Sequence, residues 1–337
     1  MKKIILIFIS IISFCLLINN TPVTKTEAVK GMTISCQTWG WEWGSDEIVE
    51  AMFELKQMWV NWIAIHPYAR IHSDGTVDGF RSRGEESYVW LTRPIQEAHR
   101  LGMKICIKPH LAYWGTKFKW RGDIEFDNEQ QWDNFFNSYE KWMASLAAIC
   151  KDADAFVIGT ELDKTIGYED QWREIIRKVR YTADVPMTYA ANWSEYDKVK
   201  FWDELDVIGI QAYFPLADSS GDLEIEQIVE GWDKHLKKLK SFSKKWNKPV
   251  VFTELGYDLS FNAAYRPWES GRKIKAAEPL QKKCLDTALR SIENNDQIIG
   301  AFLCKWFAGN SRGENFLKST PAMRKIIESH WAFNKDF

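Results

Sequence analysis

An α/β fold built as one (β/α)8 barrel is what this sequence predicts, on three observations. From Gly31 onward, eight short apolar or β-branched runs alternate with amphipathic stretches of helical spacing, the pattern of parallel strand–helix units. No Pro/Gly/Ser-rich linker or charge block divides them, so a single domain is expected over residues 30–337. The turn after the first strand reads Thr38-Trp39-Gly40-Trp41-Glu42-Trp43-Gly44 and lacks the glycine-rich fingerprint of a dinucleotide-binding sheet, which leaves an open doubly wound sheet as the weaker alternative.

The elements follow in order. Strands are expected at Gly31–Gln37, Trp62–His66, Lys104–Lys108, Ala155–Thr160, Met187–Ala190, Val207–Ala212, Pro249–Thr253 and Gly300–Cys304, each a short run that a parallel sheet would bury on both faces. Helical patterns occupy Asp46–Met58, Tyr88–Leu101, Asn128–Cys150, Glu169–Ala183, Leu223–Trp246 and Pro279–Asn294, and Thr320–Trp331 closes the chain. The basic stretch Lys234–Lys245 reads as the solvated face of an outer helix. Ahead of the barrel, Met1-Lys2-Lys3 and the apolar run Ile4–Ile18 form a basic n-region and an h-region too short for an ordinary membrane span. Residues 1–28 are therefore expected to be a signal peptide or a retained N-terminal anchor, and the protein to be exported: secreted, periplasmic or held at the cell surface. Cys15 belongs to that apolar run; Cys36, Cys106, Cys150, Cys284 and Cys304 show neither zinc-ligand spacing nor a disulfide framework and read as buried thiols.

The balance of 44 Lys+Arg against 46 Asp+Glu gives a net charge of -2, which excludes the electrostatic footprint of a nucleic-acid binder. A monomer is expected. The aromatic content is the unusual feature: 18 Trp, 11 Tyr and 19 Phe, where each buried indole N–H needs a partner. Trp132, Trp142, Trp172, Trp202 and Trp232 are read as lying within helical patterns and are assigned to packing. Trp39, Trp41, Trp43, Trp114, Trp193 and Trp306 fall at strand ends or their loops, where a ligand would cover them.

In such a barrel chemistry belongs to the C-terminal strand ends. Those ends read His66-Pro67-Tyr68 with Arg70 beyond, Lys108-Pro109-His110, Gly159-Thr160-Glu161, Ala191-Asn192-Trp193, Gln211-Ala212-Tyr213, Thr253-Glu254 and Lys305-Trp306. Glu161 and Glu254 each follow an apolar strand directly. Two carboxylates on strands four and seven can face one another across the axis, which suits glycoside hydrolysis; in a barrel without activity each would instead form a buried ion pair, with Arg70 or Lys108 as partner.

The segments Lys30-Gly31-Met32-Thr33, Val157-Ile158-Gly159-Thr160-Glu161-Leu162, Ala212-Tyr213-Phe214-Pro215-Leu216 and Val251-Phe252-Thr253-Glu254-Leu255-Gly256-Tyr257 resemble glycoside hydrolase family 113, within clan A. The resemblance implies endo-β-1,4-mannanase activity by double displacement, with Glu161 as acid/base and Glu254 as nucleophile. It implies that Tyr213 contacts the nucleophile and that Trp306 lies under the sugar at the cleavage point. Arg70 and His110 match basic residues near the carboxylates more loosely, while Asn192, Trp193, Trp41 and Trp114 complete the expected substrate contacts. No metal or organic cofactor is required, and the partner is a β-linked oligo- or polysaccharide. Clan A enzymes carry Asn before the acid/base, to bond the sugar 2-hydroxyl; here that residue is Thr160, so either Thr160 or Asn192 supplies the contact, Asn192 being favoured. Another β-glycanase, cellulase-like or xylanase-like, and a catalytically silent polysaccharide-binding barrel remain as alternatives.

Overall fold

The computed structural model describes residues 27–79, 88–269, 273–309 and 320–332. The expected export segment therefore lies almost wholly outside the described residues. Eight parallel strands close into a barrel: β1 (Val29–Ser35), β2 (Trp62–Ile65), β5 (Lys104–Ile107), β7 (Ala155–Thr160), β8 (Met187–Asn192), β9 (Ile208–Gln211), β10 (Val250–Leu255) and β11 (Ile298–Phe307). Around them run α1 (Asp46–Gln57), α2 (Val89–Arg100), α3 (Glu129–Ile149), α4 (Glu169–Thr182), α5 (Ile225–Trp246), α6 (Glu278–Glu293) and α7 (Pro321–Trp331). Two helix starts are set by side chains that satisfy free amides: Asn128 accepts from the Gln131 N–H at 3.0 Å and Thr320 from the Met323 N–H at 3.4 Å.

Three short strands were not foreseen. β3 (Tyr68–Ile71), β4 (Val77–Asp78) and β6 (His110–Ala112) form a separate sheet in the order β4-β3-β6. Pro67 and Pro109 explain their separation. Each lacks the N–H that a barrel strand would donate, so β2 and β5 stop before them, and the chain resumes as β3 and β6, paired to one another with Tyr68 opposite His110. This side sheet lifts Tyr68 and His110 to the rim of the barrel mouth.

The connection from β8 to β9 also departs from a strand–helix repeat, since among its described residues it holds a single 3-10 turn, Trp202–Glu204. Aromatic side chains fill the space an α-helix would take. Phe201 stacks on Trp172 of α4 at 5.6 Å, and both meet Tyr189 of β8. Arg173 fastens the turn by bonding Asp203 at 2.9 Å and Glu204 at 2.8 Å. Gly159 permits this packing: a Cβ there would come within 2.7 Å of Trp172 and 2.8 Å of Tyr189. Much of the tryptophan excess is thus spent between barrel and helices, as the helical positions of Trp142, Trp172 and Trp232 predict; all three are buried.

The barrel interior changes character along its axis. Its floor is apolar, made by Ala64, Cys106, Val157, Ala190, Val251 and Phe302. Above that layer come His66, Lys108, Gln211, Thr253 and Glu254, all buried and polar. Polar groups are this costly to bury unless paired, so the mouth is where the fold's expensive chemistry is concentrated.

Candidate active site

Glu254 ends the buried run of β10 and enters a shell of donors. Lys108, at the end of β5 and 1% exposed, forms an ion pair with Glu254 Oε1 and also donates to the Thr253 carbonyl at 3.2 Å. The Tyr213 hydroxyl, just past β9, donates to the other carboxylate oxygen at 2.7 Å. Burial by itself would raise the Glu254 pKa; the charge and hydrogen bond of Lys108, the Tyr213 hydroxyl and the more distant charge of Arg121 outweigh it and hold the group down at about 2. The carboxylate is ionised throughout the physiological range. Truncating one member of such a buried pair leaves the other unpaired, typically at a cost of about 3–5 kcal/mol.

Glu161 is held differently. It follows β7 with φ 52, in the left-handed region, a conformation that costs a non-glycine residue on the order of 1 kcal/mol. Its neighbours compensate. Glu161 N–H donates to the Ala190 carbonyl at 3.0 Å, and Leu162 N–H donates to the Tyr189 hydroxyl at 2.9 Å. The carboxylate itself accepts from Arg121 at 2.7 Å. Arg121, in the 3-10 turn Arg121–Asp123 between β6 and α3, is buried enough that its charge is felt by Glu254, His110 and Tyr68 as well.

Around this pair His66 and His110 stack at 4.9 Å, with His110 Nε2 3.9 Å from Glu254. Burial first, then neighbouring cations, pushes both imidazoles down, His66 to about 3 and His110 well below its ordinary value. They are neutral groups in this site, so His110 places a buried imidazole beside Glu254, its Nε2 without a hydrogen-bond partner among the described residues, and adds no positive charge there. Thr160 is committed: its hydroxyl donates to the Pro109 carbonyl at 3.0 Å, and the residue is buried. Asn192, at the end of β8, is half-buried and donates to Asp163 at 3.3 Å.

The sequence-predicted residues divide. Glu254, Tyr213 and His110 come together at the mouth, Arg121 links Glu161 to them, and Asn192 bonds Asp163 on the turn after Glu161. Arg70 does not reach the carboxylates: its guanidinium lies over Trp39 at 5.3 Å and donates to the Trp114 carbonyl at 3.2 Å, bracing an aromatic rim. Trp114 is 51% exposed and packs against Trp39 at 5.9 Å and Tyr68 at 5.6 Å in that rim. Trp41 is 60% exposed on the 3-10 turn after β1. Trp193 stacks on the exposed Trp268 at 5.2 Å across the mouth's other loops. Trp43 and Trp306 are corrections. Trp43 is fully buried between His66 and Trp90.

Trp306 is 2% exposed and faces the helix layer, where Arg324 of α7 sits 4.7 Å over its ring. The physical reason is a register shift. β1 pairs Thr33 with Cys304 but Ile34 with Trp306, so Lys305 is an extra residue that reverses the in–out alternation. Cys304 takes the inward place near Tyr213 and Glu254, its thiol pushed up to about 11 by burial.

Three residues escaped sequence reasoning: Arg121, Asp163 and Trp268. Only Asp163, two positions after Glu161, lay near a recognised motif. The cysteines Cys106, Cys150, Cys284 and Cys304 are buried thiols outside any disulfide, as expected, while Cys36 is half-buried.

A closed parallel barrel whose C-terminal mouth holds two carboxylates, paired lysine and arginine, and aromatic rims defines the class: a barrel enzyme with its chemistry at the strand ends. The family profile described as Glycoside Hydrolase Family 113 matches residues 32–317, and the chain belongs to that family of glycoside hydrolases. Among solved structures it is similar to the family 113 β-mannanase from Alicyclobacillus acidocaldarius in complex with ManMIm, at 23% identity and TM-score 0.78, over 91% of this chain and 97% of that one. A family 113 β-1,4-mannanase complex superposes equally well, at 23% identity, TM-score 0.78 and coverage of 91% and 99%. A family 5 mannosidase from Rhizomucor miehei, in complex with mannosyl-fructose, is more distant at 12% identity and TM-score 0.58, over 91% and 92% of the two chains. No curated protein sequence matches the chain.

Proposed function

We propose that this glycoside hydrolase is an endo-β-1,4-mannanase that acts with retention, Glu254 being the nucleophile and Glu161 the acid/base. The observation that carries the reading is the unequal treatment of the two carboxylates. Glu254 is locked as an anion by Lys108 and Tyr213, which suits attack on an anomeric carbon; Glu161 stands on a strained turn with one cationic partner that a substrate can displace. In the first step Glu254 forms a bond to the anomeric carbon while Glu161 gives its proton to the departing glycosidic oxygen. In the second, Glu161 takes a proton from water, whose oxygen displaces Glu254 and releases the sugar. Tyr213 and Lys108 hold the nucleophile in place and stabilise it when it departs.

The commitment of Thr160 to Pro109 supports Asn192 as the partner of the 2-hydroxyl. That hydroxyl is axial in mannose, and a partner displaced to the neighbouring strand is compatible with it. The exposed rings of Trp114 and Trp41, with Tyr68 and Trp39, and the Trp193–Trp268 pair across the mouth offer the apolar faces on which a glycan would stack. Export, with the protein secreted, periplasmic or anchored at the cell surface, is proposed on the pattern of residues 1–28 alone.

Hydrolysis of β-mannan, glucomannan, cellulose, xylan and mixed-linkage glucan by the purified protein tests the substrate class. Release of oligosaccharides from the mannans is expected. Preference for cellulose or xylan would make it another β-glycanase, and release from none, with binding retained, would make it a polysaccharide-binding barrel.

A further inference from the structure

Asp163 is a half-buried carboxylate with one fully buried oxygen. It opens the 3-10 turn Asp163–Thr165, two residues beyond Glu161, and that turn is clamped by its neighbours. Thr165 hydroxyl donates to the Leu162 carbonyl at 2.7 Å, and the Trp172 indole donates to the Thr165 carbonyl at 3.0 Å. None of these bonds uses the Asp163 side chain. One of its oxygens, Oδ1, is buried with no hydrogen-bond partner among the described residues; the other accepts only from the Asn192 amide, at 3.3 Å.

The groups facing it do not neutralise it. Glu161 on its own turn and Glu195 on the loop after β8 are both acidic, and Lys198 is engaged with Glu195 at 2.7 Å. Tyr189 of β8 spends its hydroxyl on the Leu162 N–H. Burial, followed by those acidic neighbours, pushes the Asp163 carboxyl up to about 7 against the hydrogen bond from Asn192. A carboxylate kept in so unfavourable a place calls for a purpose other than stability.

We infer that Asp163 is a positioning residue for glycoside cleavage: by accepting from the Asn192 Nδ2 it fixes that amide with its carbonyl oxygen turned toward the sugar at the cleavage point. The inference rests on the retaining-hydrolase reading. An unanchored Asn amide can present either end, whereas one whose NH2 is taken by a carboxylate presents an acceptor. A sugar hydroxyl then donates to it, and that hydrogen bond tightens as positive charge develops on the ring. Thr160, whose hydroxyl is spent on Pro109, is unable to take over. The work that clan relatives assign to one Asn before the acid/base is divided here between Asn192 of β8 and Asp163 behind it.

The test is a double-mutant cycle on soluble β-mannan, read as kcat and KM separately. Asp163→Asn, nearly isosteric, is expected to lower kcat about tenfold, the worth of one oriented hydrogen bond, with KM changed less than about threefold. Asn192→Ala is expected to lose a similar factor, and the double variant no more than either alone, because both changes remove one unit. Losses that multiply to about a hundredfold, or a kcat for Asp163→Asn equal to the wild type, overturn the inference. Asp163→Glu keeps a carboxylate that can only accept, whereas Asp163→Asn offers an amide that can present either end to Asn192, and the glutamate variant is expected to recover kcat to within about threefold of wild type. Should Asp163→Asn fail to fold, the glutamate variant and Asn192→Ala decide: a tenfold loss in Asp163→Glu, or none in Asn192→Ala, overturns the proposal. Wild-type protein inactive on every β-glycan refutes the hydrolase reading instead, whatever the variants do.

Discussion

The Glu254 half of the mouth and the Glu161 half solve opposite problems with the same residue type. Glu254 grows out of a strand whose pleat aims it at Lys108 and Tyr213, so its charge is set by barrel register and hardly depends on any loop. Glu161 leaves its strand through a left-handed residue, meets Arg121 from a distant 3-10 turn, and has a second carboxylate, Asp163, close by. One half is rigid and permanently ionised. The other sets Glu161 between the cation of Arg121 and the carboxyl of Asp163, both carried on turns.

The sharpest break of that contrast is at Glu254. Glu254→Gln keeps the size and removes the proposed nucleophile; kcat on mannan is expected to fall at least about a thousandfold while oligosaccharide binding by calorimetry persists. Next comes its counter-ion. Lys108→Met leaves Glu254 buried without its ion pair, and urea unfolding is expected to show a loss of about 3–5 kcal/mol. A loss below 1 kcal/mol would mean that Arg121 and Tyr213 suffice.

Trp306→Ala and Trp114→Ala separate packing from binding. The first opens a cavity beneath Arg324 and is expected to cost about 3–5 kcal/mol of stability. The second, at an exposed rim position, is expected to raise KM several-fold, about 1 kcal/mol, with the melting temperature unchanged. If Trp306→Ala instead raised KM without destabilising the fold, the ring would be a sugar platform after all.

Acid probes the same fixed charge on Glu254. The folded pKa of Glu254, about 2, lies below its ordinary 4.5, so the folded state binds this proton less readily than the unfolded chain. The group therefore contributes stability that is fully present above pH 4.5 and is lost as pH falls through that value toward 2. Melting temperatures of wild type and Glu254→Gln across this window are expected to converge at the acid end.

All eight barrel strands were legible because strand-length apolar runs separated by helical periodicity are a local signal, and the ends of those strands pointed directly to Glu161 and Glu254. What stayed hidden is non-local. The sheet made by β3, β4 and β6 consists of pieces of two to four residues whose pairing depends on two prolines in different units. Arg121 sits in an aperiodic loop, and its meeting with Glu161 follows from loop closure over 40 residues. Trp306 was placed in the mouth by its position at a strand end and by the family resemblance, and the register shift at Lys305 turned it outward. Asp163 was passed over because an Asp after a strand reads as a turn residue; only its buried Oδ1 and its bond from Asn192 set it apart.

Trapping the covalent intermediate tests the central claim most directly. A 2-deoxy-2-fluoro β-mannosyl compound with a good leaving group slows breakdown of a glycosyl-enzyme, and peptide mass spectrometry then locates the label. The account predicts one label per chain, on Glu254, abolished in Glu254→Gln. A label on Glu161, or an active enzyme that forms no adduct and releases a product of inverted anomeric configuration, would contradict it.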